Sequence, residues 1–221
     1  MNVYNHLQWL LVIILIPITI SGCIGNIGEL SGLLSGQKGS TYYVSLEGDN
    51  NNSGTRDKPW ATPGYASRQL QPGDTLVILG GRYQITNQEE TQLKPSSGES
   101  ASWITIKGEA GNRPVLAGRE NCPAMIDLSG KSYIRIENLE MTNDEGSTVL
   151  SGIKVAGSAS QNLTFKSLYI HHIDGSGIRM ADVSVIELLQ STIEYCGQGA
   201  VLGDNFKGGG WSQVTIRDCH L

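Results

Sequence analysis

From residue 41 onward the apolar positions come in short alternating runs, and no stretch carries a sustained helical stripe. A first set reads Leu76-Val77-Ile78, Ile104-Thr105-Ile106, Ile134-Arg135-Ile136, Leu163-Thr164-Phe165, Ile186-Glu187-Leu188 and Val214-Thr215-Ile216, with starts 28, 30, 29, 23 and 28 residues apart. After each of the last four, two polar or small residues lead into a second in–out pair: Leu139/Met141, Leu168/Ile170, Ser191/Ile193 and Cys219/Leu221. A third set opens on glycine, as Gly152-Ile153-Lys154-Val155, Gly177-Ile178-Arg179-Met180 and Gly199-Ala200-Val201-Leu202, spaced by 25 and 22 residues. The best helix candidate is the short stretch TPGYASRQL at 62–70.

Three ladders recurring in one order, at one shared period, predict a solenoid whose coils each carry three short strands. No coil buries its apolar face alone, so stability comes from contacts between neighbours. The expected fold is all-β, a parallel β-helix. A sandwich explains alternation but not a strand triplet repeating in register, and a leucine-rich repeat needs a Leu/Asn consensus that is absent. Composition agrees. Gly 28 against Phe 2, with 17% charged residues, excludes a coiled coil or charge-rich helical protein, while 39% hydrophobic residues supply a core. Lys+Arg 16 against Asp+Glu 21 gives a net charge of −5, which argues against a nucleic-acid partner.

The first 40 residues follow another pattern. Leu7 to Ile20, LQWLLVIILIPITI, is too short for the roughly 20 apolar residues of a membrane span and has the length of a signal-peptide hydrophobic region. The next residues, Ile20-Ser21-Gly22-Cys23, resemble a prokaryotic lipobox, which implies lipidation at Cys23. The leading MNVYNH lacks the usual positive charge, so an uncleaved anchor or a chance cysteine stays as the alternative. Residues 24–40 are Gly/Ser-rich and read as a flexible tether. The expected organisation is a signal peptide over 1–22, lipidated cysteine and tether over 23–40, and the β-helix over 41–221. Within the β-helix a cap spans about 41–75 and coils follow from 76. The protein is expected to be an exported monomer, secreted or held at the cell surface by its lipid. Cys122, Cys196 and Cys219 match no metal motif and read as small buried hydrophobes. Sequons begin at Asn51 and Asn162.

The segment from 41 to 82 resembles the opening of right-handed β-helix proteins related to pectate lyases. The residues that carry the likeness are Tyr43-Val44-Ser45, Gly48-Asp49, Gly54-Thr55, Lys58-Pro59-Trp60-Ala61-Thr62, Pro72-Gly73-Asp74-Thr75 and Gly80-Gly81-Arg82-Tyr83. Trp103-Ile104-Thr105-Ile106-Lys107 continues it. The resemblance implies a right-handed helix, and it is less specific for activity because this scaffold serves lyases, hydrolases, epimerases and binding proteins. The chain stops at Asp218-Cys219-His220-Leu221, inside a strand pair, so a C-terminally truncated helix is expected.

In the resembled lyases an acidic polysaccharide lies along one outer face, and a base removes the proton beside a uronate carboxyl. Calcium or cationic side chains stabilise the developing charge. The glycine-opened ladder points Lys154 and Arg179 outward in equivalent slots of adjacent coils, similar to the base and acid pair of the sixth polysaccharide lyase family. By that likeness both are candidate catalytic residues, and Asp144 and Glu145 are the nearest counterparts of its calcium ligands. The compact acidic calcium cluster of family-nine pectate lyases has no counterpart in the sequence. His171, His172 and Asp174, in the turn before Gly177, are candidate substrate-binding residues, with hydrogen bonding within a loop as the alternative. Asp182, Asp204 and Lys207 fall in turns along the same general side and suit turn formation. A solvated Lys–Arg pair is the plain alternative to a site. Two functions are therefore expected: a surface enzyme cleaving acidic polysaccharide by lyase chemistry, or a non-catalytic glycan-binding or envelope structural module.

Overall fold

The computed structural model describes residues 39–157, 159–204 and 210–221. The expectations placed on residues 1–38, lipidation of Cys23 included, lie outside them.

Three larger parallel sheets carry the described chain through successive coils, beside a two-stranded parallel pair of Asn121–Cys122 and Thr148–Val149. The long sheet has seven strands, in the order Thr41–Val44, Thr75–Ile78, Ile104–Gly108, Ser132–Glu137, Gln161–Lys166, Val183–Leu189 and Trp211–Arg217. A second sheet holds Arg82–Ile85, Val115–Gly118, Glu140–Asn143, Tyr169–Ile173 and Thr192–Cys196. A third holds Ile126–Asp127, Ser151–Ala156, Ser176–Ala181 and Gly199–Asp204, extended by a bridge from Leu93 to Ile126.

Inward side chains stack coil upon coil because each strand alternates faces every residue. Ile104, Ile134, Leu163, Ile186 and Val214 form one file of the long sheet, and Ile136, Phe165 and Leu188 lie in the next. Met141, Ile170 and Ile193 continue through the second sheet, and Ile126, Ile153, Ile178 and Val201 through the third. Most of these residues are fully buried and form one core. Each such side chain contributes about 1.5–3 kcal/mol of transfer free energy.

The helix runs Pro63–Gln69, as its sequence predicts, with Pro63 in the first turn where no intrahelical N–H is needed. Its Ala66 is fully buried in the core.

Three expectations change in detail. Thr41–Val44 pairs with Thr75–Ile78, so the cap segment already supplies the first strand of the long sheet. The β-branched and aromatic run TYYV suits that role. In the third ladder Gly199 pairs with Ser176 rather than Gly177, which brings Val201 beside Ile178 and Leu202 beside Arg179. Stacking the inward apolar file outranks matching the glycines. Cys219 and Leu221 flank a single bridge from His220 to Thr192 and form no strand.

The three described cysteines carry no disulfide. Cys122 is fully buried, and burial pushes its thiol up to about 11 against a weaker opposing hydrogen bond from the Ala124 backbone.

Candidate functional site

On the third sheet, Ile153 and Val155 point into the core, so Lys154 between them points out. The same alternation turns Arg179 outward between Ile178 and Met180. Lys154 and Arg179 are register partners on adjacent strands, about 4.8 Å apart along the backbone direction of stacking. With Val155, Ala156 and Ala181 they line a groove of about 270 Å³. The file begins earlier than the sequence reading placed it. Asp127 is the register partner of Lys154 on the other side, and Lys94 Nζ lies 3.6 Å from Asp127 Oδ2. The row therefore reads Lys94, Asp127, Lys154, Arg179, Leu202.

Burial pushes the Asp127 carboxyl up, but hydrogen bonding from Ser129 and the charges of Lys94 and Lys154 outweigh it and hold the group below the usual carboxylate range. The Ser129 N–H donates to Asp127 Oδ1 at 3.0 Å. Two like charges at the spacing of Lys154 and Arg179 repel by roughly 1 kcal/mol in water and several times more where partly desolvated. Asp127 supplies counter-charge at one end of that pair.

A second arrangement forms on the outer face of the second sheet. His171 Nε2 lies 3.3 Å from Glu140 Oε1, and His171 Nδ1 lies 2.7 Å from His172 Nδ1 and 3.3 Å from Thr142 Oγ1. The His171 ring sits 4.3 Å from that of Tyr169, whose hydroxyl donates to Glu194 Oε1 at 2.9 Å. That hydrogen bond pushes the Tyr169 phenol up. His172 stacks on Tyr195 with centroids 5.1 Å apart and planes at 25°. Asp174 Oδ2 accepts from Asn143 Nδ2 at 2.8 Å and from the Val149 N–H at 2.7 Å.

His172, Asp174, Asp144 and Glu145 share one cleft of about 580 Å³ with Asn143 and Tyr195. Residues singled out separately in the sequence are thus brought together, while His171 lies alongside rather than in the lining. Glu140, Tyr169, Glu194 and Tyr195 were missed. Their signal was the ladder itself: Tyr169 is in register with Glu140, and His171 with Glu194.

Of the two residues expected to hold calcium, Asp144 is ion-paired with Arg82, and among the described residues no three His, Cys, Asp or Glu side chains are grouped as metal ligands. Asp182 is a turn residue at φ 53, in line with its expected role. Lys207 and the Asp204 side chain lie outside what the structure describes.

Comparison with known proteins agrees with this geometry at the level of fold. A lacto-N-biosidase of Bifidobacterium longum subsp. longum is 26% identical over 62% of this chain and 12% of its own length. The crystal structure of a GH136 lacto-N-biosidase from Eubacterium ramulus superposes with a TM-score of 0.64 at 18% identity, covering 87% of this chain and 42% of that one. A rhamnogalacturonan lyase superposes with a TM-score of 0.55 at 18% identity, over 82% of this chain and 51% of that one. The chain thus spans about half or less of each of these three proteins. Residues 42–197 match the family described as Pel9A-like, right handed beta helix region, which takes in every strand from the first rung to the stack of His172 on Tyr195. The chain belongs to that Pel9A-like right-handed β-helix family.

Proposed function

We propose that the protein holds acidic polysaccharide in the groove at Lys154 and Arg179 and cleaves it there by β-elimination at uronates. The observation that carries this reading is the placement of two cations in register on adjacent coils, lining one groove. The names of the similar proteins, two lacto-N-biosidases and a rhamnogalacturonan lyase, support a glycan as the partner. In this chemistry one of Lys154 and Arg179 takes the proton beside the uronate carboxyl, a double bond forms, and the oxygen of the neighbouring sugar departs with a proton from solvent. Negative charge builds on the carboxyl group as the proton leaves, and fixed cations lower that barrier. The other of the pair would do the work that calcium does in the resembled lyases.

The test is the absorbance of unsaturated uronate product formed from polygalacturonate, alginate or dermatan-type chains, with and without a chelator. Lys154→Ala and Arg179→Ala are each expected to slow product formation by about a hundredfold, the usual cost of removing one charge-stabilising donor. Activity unchanged in both variants would overturn the assignment. Tight binding with no product from the unaltered protein would point instead to a non-catalytic glycan module. We also propose export and lipidation at Cys23. The mass of the mature N-terminus reads this out, and a chain that keeps residues 1–22 would contradict it.

A further inference from the structure

We infer that the cleft beside His172 is a second sugar site, separate from the cationic groove, and that it takes an uncharged, hydroxyl-rich sugar. The cleft and the groove share no lining residue. Their chemistry also differs.

Glu140, His171 and His172 form a hydrogen-bond chain at the edge of the cleft. A carboxylate only accepts, so His171 Nε2 carries its proton toward Glu140 Oε1. With the ring neutral, His171 Nδ1 is then an acceptor, and the short contact to His172 requires the proton on His172 Nδ1. His172 Nε2 is left without a proton. The relay thus sets an exposed histidine as an acceptor at the rim of the cleft. Asp174 adds to this: its Oδ2 is occupied by two N–H donors, which fixes the carboxylate and leaves Oδ1 to accept. Glu145 lines the cleft as a further acceptor. Against these stands the ring of Tyr195, 72% exposed and held by stacking on His172. Acceptors beside an exposed ring suit a pyranose, which offers hydroxyl donors at its edge and C–H groups on its face. Acceptor carboxylates repel a uronate, so the same set disfavours the acidic chain proposed for the groove.

The test uses the full chain, ¹⁵N-labelled, in a ring-nitrogen correlation spectrum at a pH where both rings are neutral. His172 is expected to carry its proton on Nδ1 and His171 on Nε2, and Glu140→Ala should release both from these single tautomers. Neutral β-1,4-galactan oligosaccharide is expected to shift the His172 ring, and oligogalacturonate is not. Tyr195→Ala, at an exposed position that folding tolerates, and His172→Ala should each weaken galactan binding about tenfold, the scale of one lost contact. Both should leave oligogalacturonate binding unchanged. A proton on His172 Nε2, a His172 ring unmoved by the neutral probe, or a ring moved by oligogalacturonate instead would overturn the inference.

Discussion

At the scale of single residues, Asp127 shows how the cationic file is held. Its folded carboxyl titrates below the unfolded value, so folding favours the ionised form. The stabilisation is full above the unfolded carboxyl range, near pH 4, and is lost as the pH falls through the lower folded value. Asp127→Asn removes that dependence. Its denaturation midpoint should therefore vary less with pH below about 5 than that of the unaltered protein, and identical acid profiles would contradict the account. Lys154 and Arg179 were legible in the sequence because Gly-Ile-Lys-Val and Gly-Ile-Arg-Met repeat a motif. Asp127 was not, because its strand is two residues long and opens on no glycine. Cys122 belongs to this scale as well. Full burial and a thiol pushed up to about 11 should leave it the slowest of the three described cysteines to react with a thiol reagent in the folded protein. A rate matching that of Cys219 would refute this.

At the scale of strands and ladders, period-2 alternation made most of the long sheet readable, since every coil must offer the same inward slots. Phe165 fills one of them and is fully buried, whereas Lys166 beside it is exposed. Phe165→Ala should cost about 3–5 kcal/mol in denaturant unfolding, and Lys166→Ala less than about 0.5. Equal costs would mean that the coil does not stack on its neighbours at this point. Arg82–Ile85 alternates but is only four residues long, and Val115–Gly118 does not alternate, so neither stood out. The third ladder shows how an equal residue misleads when its reason differs. A Cβ on Gly177 would lie 2.3 Å from Ile193 Cγ2 and 2.7 Å from Ala200 O, so close approach requires glycine there. Gly199 has open space and is needed for its backbone, at φ 134. Aligning the two glycines would put Val201 beside Arg179, one residue out of register with the observed partner Leu202.

At the scale of the whole molecule, the fold and its family were legible because a repeat writes the same rule many times, while a site writes its rule once. The cleft at His172 gathers residues from several coils, from Asn143 to Tyr195, and no local motif announces that meeting. The solenoid sets different chemistry on two outer surfaces: a cationic file on the third sheet, and an aromatic, acceptor-rich cleft beside the second. The cationic file is the proposed seat of acidic polysaccharide. The most direct measurement is calorimetric titration of oligogalacturonate into the full chain and into the Lys154→Gln, Arg179→Gln double variant. The unaltered protein is expected to bind with an affinity that falls as salt rises. The double variant should lose at least about tenfold in affinity, along with most of the salt dependence. Equal affinity and equal salt dependence in the two proteins would contradict the claim.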